Sequence, residues 1–161
     1  MKAYAEGTTV PVERTRAEID SLLSRNGAKQ TMIANDDDRS IATIGFIIAG
    51  ARFRVEVPLP KWGDELPAEG KAPVGWDRKT PEQRGAWRSK RFQQARMERW
   101  RAILLLLKAK LEAVRIGVST VEREFLADMV LPNGDTTYEA IGDAIRKGLV
   151  GAETKQLGSG A

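Results

Sequence analysis

The feature that most limits how this chain can fold is a helical stretch with almost no breaks. From Pro81, placed at the first helical position, to about Ile116, only Gly85 interrupts a helix-compatible sequence. At 1.5 Å per residue this predicts a rod of about 50 Å. Its two halves differ in kind. Trp100, Ile103, Leu104, Leu107, Leu111 and Val114 form one apolar stripe, and Leu105 and Leu106 widen it. The first half reads RGAWRSKRFQQARMERWR and is basic. With that wider stripe, the second half is expected to be buried on more than one side.

Around this rod the spacing predicts four helix starts. Each pairs a Ser or Thr cap with a Glu or Gln three residues on: Thr15 with Glu18, Thr80 with Gln83, Ser119 with Glu122, Thr136 with Glu139. A first helix is expected over 16–25, with Ala17, Ile19, Leu22 and Leu23 on its apolar face and Asn26-Gly27 ending it. The period then becomes two. Short strands are expected over 30–34, 40–48 and 52–59, with an acidic turn at Asn35–Asp38 and a second turn at Ala49-Gly50. Residues 61–79 show no period and read as a long loop. Helices over 120–129 (Val121, Phe125 and Leu126 inward) and 137–147 complete the order. The expected class is α+β: a single domain over 1–150, with an N-terminal helix, a three-stranded antiparallel sheet, a long basic helix and two C-terminal helices, then a flexible tail over 151–161.

Histidine and cysteine are both absent. This removes Ser-His-Asp and Cys-His nucleophile systems, zinc fingers, disulfide frameworks, and the usual haem or iron–sulfur ligation. There is no GxxxxGK[ST] phosphate loop and no GxGxxG after a strand. The expectation is a protein that is not an enzyme and uses no cofactor. Residues 1–10 lack the apolar core of a signal peptide, and the run Ala102–Leu107 is too short to cross a bilayer. A cytoplasmic location and no membrane partner are therefore expected.

The chain carries a net charge of +4, unevenly placed. Between Arg78 and Arg101, nine basic residues face two acidic ones, Glu82 and Glu98, a local balance of +7 that leaves −3 for the rest. At 100° per residue, Arg84, Arg88, Arg91 and Arg99 fall within an arc of roughly 80°, opposite the apolar stripe, along about 22 Å of axis. Arginine pairs bidentately with phosphate, and the row would track several phosphates of a nucleic-acid strand. Lys79, Lys90 and Arg96 are expected to support it. Trp87 at its edge and Trp76 in the loop would offer surfaces for bases. Trp62 and Trp76 lie among Lys61, Lys71, Arg78 and Lys79. They read either as a basic flap over a strand or as indoles packed back on the sheet. Asp36–Asp38 could hold Mg²⁺ with Glu56, but a hairpin turn is the simpler reading, and no metal site is assigned.

The order helix, three strands, helix resembles the topology of the double-stranded-RNA-binding domain. The segments VPVERTRAEIDSLLSRNGA (10–28), IGFIIAGARFRVEVPLP (44–60) and RWRAILLLLKAKLEAVRIGVSTVEREFLADMVLPNGDT (99–136) resemble small bacteriophage and prophage accessory proteins from early replication and recombination regions. That resemblance implies expression inside a bacterium. It admits a nucleic-acid-binding accessory factor, with DNA ahead of RNA. It also admits a protein that docks the same basic face on an acidic host protein, from the defence or transcription machinery. A metal-dependent nuclease ranks behind both. A homo-oligomer through free sheet edges is a further expectation.

Overall fold

The computed structural model describes residues 5–63 and 73–157, with side-chain surroundings up to 148. Helix α1 (Val12–Arg25) leads into strands β1 (Gln30–Asp36), β2 (Ile41–Ile48) and β3 (Ala51–Pro58). A 3₁₀ turn at Trp76–Arg78 precedes the long helix α2 (Pro81–Arg115). A four-residue helix α3 (Val121–Glu124), a second 3₁₀ turn (Leu126–Asp128) and helix α4 (Thr137–Leu157) follow. The result is a mixed α+β architecture in one domain.

The strands form an antiparallel meander, β1-β2-β3, in unbroken register from Gln30↔Ile47 to Asp36↔Ile41 and from Ile41↔Pro58 to Ile48↔Ala51. The second hairpin closes on Ala49 and Gly50, both with positive φ, as a two-residue turn matched to strand twist requires. Alternation decides the faces. Ala42, Ile44, Phe46 and Ile48 of β2 join Phe53 and Val55 of β3 on the covered face. Onto it pack Ile19, Leu22 and Leu23 from α1, and Trp100, Ile103, Leu104, Leu107 and Leu111 from α2. Phe125 seals one side, with ring centroids 5.2 Å from Phe46 and 5.7 Å from Phe53.

Several local expectations are corrected. Helix α1 begins a turn early, at Val12 after Pro11, so Thr15 is no cap. It is buried inside the helix and its hydroxyl donates to the Pro11 carbonyl at 3.3 Å. The early start places Thr15 three and four residues from Val12 and Ile19, on the face that packs inward, while Ala17 is exposed. Thr120, not Ser119, caps α3, accepting from the Arg123 N–H. The helix expected over 120–129 is broken into α3 and the 3₁₀ turn, which leaves Leu126 exposed. Leu106 is also exposed, because α2 is covered along one stripe only. Helix α4 runs to Leu157, into the span expected as tail.

Two predicted caps are reciprocal. Thr80 and Gln83 exchange bonds of 3.1 and 3.3 Å at the start of α2. Thr136 and Glu139 do so at α4, and Glu139 also accepts from Arg54 of β3 at 2.6 Å. The Thr136 N–H, foremost, holds the Glu139 carboxyl below its usual range, with Arg54 adding to the effect.

Strand β2 is the central one, so β1 and β3 are the edges. Both edges are partly occupied. Val130 donates to the Arg52 carbonyl beside β3 at 2.8 Å, and Arg16 donates to the Ile33 carbonyl of β1 at 2.9 Å.

Candidate nucleic-acid interface

Helix α2 is 35 residues long and unbroken across the basic half. From Pro81 to Arg99 no residue is buried, and burial begins at Trp100. The first half therefore runs out from the core, with Lys90, Arg91 and Arg99 exposed and Arg84, Arg88 and Arg96 half-buried. Its start is held by the Thr80 capping box and by Pro81.

The arginine row has few acidic neighbours. Arg84 donates to the carbonyls of Trp76 at 3.3 Å and Asp77 at 3.1 Å, and lies 5.6 Å from the Trp76 ring centroid. Carbonyls satisfy its donors without cancelling its charge, so Arg84 is both a clamp on the 3₁₀ turn and a standing cation. Arg88 has a buried Nε without a hydrogen-bond partner among the described residues. Arg91 reaches Glu98 only at 3.9 Å, and Glu98 is shared with the Gly7 N–H at 3.0 Å and the Gln94 amide at 3.1 Å. Arg99 is exposed, with no ion pair among the described residues.

The supporting residues divide. Arg96 turns aside, over the Phe92 ring at 5.8 Å and 3.8 Å from Asp37 in the β1–β2 turn. Lys90 is exposed but projects from the far side of the axis, about 140° from the middle of the row, so it does not extend it. Lys79 is half-buried just before the helix. Arg101, next to the core, is taken by Glu18 of α1 at 2.8 Å.

Two aromatic pairs flank the row. Trp76 meets Trp87 edge-on, centroids 5.1 Å apart, on one side. Trp62 meets Phe92 edge-on at 5.3 Å on the other. Neither loop indole packs on the sheet as one reading of the sequence had it, since both rest on α2. Lys71, part of the proposed flap, lies outside the described residues. Phe92 was missed by the sequence reading. Its signal was its place one turn after Arg88, at the margin of the arginine arc.

The turn expected at Asn35–Asp38 begins later: β1 continues through Asn35 and Asp36, the turn spans residues 37–40 with Asp37 and Asp38 in it, and Asp36 accepts from the Arg39 N–H at 2.8 Å. Glu56 lies 3.4 Å from Arg54. Among the described residues no group of three or more acidic side chains is placed to hold a metal ion, and no helix is long and apolar enough to cross a membrane. A hollow of about 420 Å³ lies instead on the open sheet face, lined by residues such as Met32, Gly45, Ile47, Arg52 and Arg54. Comparison with family models, curated proteins and solved structures returned no match to this chain.

Proposed function

We propose that this protein binds nucleic acid through the arginine row of α2. One observation carries the reading. Arg84, Arg88, Arg91 and Arg99 share one flank of an unbroken helix, and among the described residues only Arg91 has an ion-pair partner, Glu98 at 3.9 Å. A phosphate backbone supplies acceptors of the right charge at repeated intervals along such a flank. The resemblance to phage accessory proteins supplies the setting: a non-enzymatic factor in phage DNA replication or recombination, acting inside the bacterial cell.

The test is a binding titration by fluorescence anisotropy with DNA and RNA oligonucleotides. Affinity is expected to fall linearly on a log–log plot as salt rises, with a slope of about −0.7 to −0.9 per phosphate engaged. No binding at low salt to any of these probes would refute the reading. If nucleic acid fails and an acidic host protein is captured from nuclease-treated lysate, the basic face serves protein docking instead.

A further inference from the structure

The arginine row does not stand on a bare helix. On one flank the 3₁₀ turn lays Trp76 against Trp87, and beyond it the N-terminal segment bonds along α2, with Gly7 on Glu98 and the Thr8 carbonyl on Gln94 at 2.8 Å. On the other flank lie Trp62 on Phe92 and the β1–β2 turn at Asp37, near Arg96. A helix with its side chains already measures about 10–12 Å across, and the major groove of B-DNA is only about 12 Å wide. With both sides occupied, the basic half of α2 is too broad to enter that groove and read paired bases.

The flanks offer something else. Trp62 is 60% exposed although its edge-on contact with Phe92 fixes its place beside the cations. An exposed indole costs hydration and gives nothing to the core. Set next to a row of phosphate-binding groups, it matches the combination by which unpaired strands are held: charge along the backbone and an aromatic face for a base. A duplex hides its base faces in the stack and has none to offer.

We infer that the ligand of this surface is a single-stranded nucleic acid, with phosphates on Arg88, Arg91 and Arg99 and an unpaired base stacked on Trp62. The inference rests on the nucleic-acid reading above and goes further in naming the strand state. The experiment compares oligo(dT) of about 16 nucleotides, the oligo(dT)·oligo(dA) duplex and inorganic polyphosphate, each against the full chain and against Trp62→Ala and Trp62→Phe. Oligo(dT) is expected to bind about tenfold tighter than the duplex or more, and to quench tryptophan fluorescence. Trp62→Ala is expected to weaken oligo(dT) by about 5-fold to about 150-fold, the range of one base–aromatic stack. Trp62→Phe recovers most of that loss. The salt slope stays unchanged in both variants, since a stack releases no counterions, whereas a helix displaced by the substitution would lose phosphate contacts and flatten the slope. Equal affinity for duplex or polyphosphate, or an unchanged affinity in Trp62→Ala, overturns the single-strand inference and leaves the nucleic-acid reading standing. Absence of binding to both nucleic acids at low salt overturns the two together.

Discussion

The two halves of helix α2 share one backbone conformation and almost nothing else. Residues 100–115 bury Trp100, Ile103, Leu104, Leu107 and Leu111 against the sheet and α1. Residues 81–99 bury none. The second half is stable because it removes apolar surface from water, at about 25 cal/mol per Å². The first half draws little on that source, through the Trp76–Trp87 and Trp62–Phe92 contacts, and a free helix of its length is marginal in water. It is held by its capping box, by the Arg84 clamp on the 3₁₀ turn, by the bonds from the N-terminal segment, and by continuity with the docked half. The core half serves as the anchor, and the basic half keeps Arg84, Arg88 and Arg99 without a carboxylate partner among the described residues.

The largest expected effect falls on the anchor. Trp100→Ala should cost about 3–5 kcal/mol, read as a lower midpoint in urea unfolding. A small loss there would mean that the docked half does not carry the helix. Arg88→Gln combined with Arg99→Gln should do the opposite. The melting temperature stays within about a degree or two, while the salt slope of single-strand binding drops by roughly 1.4, from two lost phosphate contacts. A change in stability without a change in slope would erase the division between the halves.

Smaller effects sharpen it. Thr80→Ala should cost about 1 kcal/mol by opening the cap, and Gly85→Ala should return about 0.5–1 kcal/mol, since a Cβ at Gly85 meets no atom within 4 Å. Both changes should show in helical circular dichroism, with binding retained in Gly85→Ala. Beside the anchoring half, burial lifts the Asp128 carboxyl above its ordinary range, with Lys110 of α2 opposing the lift. An acid whose folded pKa exceeds its unfolded one is a burden once ionised. Asp128→Asn is therefore expected to raise the melting temperature near neutral pH. The gain should fade as pH falls through the carboxylate range, where both side chains are neutral. A gain that persists in acid would assign it to some cause other than charge.

Much of the architecture was legible from local signals. A helix from Pro81 to the region of Ile116 follows from propensity and caps, and the Thr80–Gln83 and Thr136–Glu139 boxes formed as spaced. Period two over residues 41–58 was enough for a hairpin, because the alternation itself separates a wet face from a dry one. The Thr15 and Ser119 caps failed for the same reason that such motifs are weak alone. A Thr three residues before a Glu is also compatible with a helix interior, and α1 was extended by the apolar face it presents to the core.

The amino-acid order by itself determined that a basic rod and an apolar rod would be one helix, because charge and period are written along the chain. Only the tertiary structure decided which cations remain available. Arg101 met Glu18 and Arg96 turned toward Asp37, across 83 and 59 positions of sequence, while Arg88 and Arg99 met no carboxylate among the described residues. It also seated Trp62 and Trp76 on α2, where a loop without period had left them unplaced. Contacts between distant segments depend on how the elements pack against one another, and no local pattern encodes that.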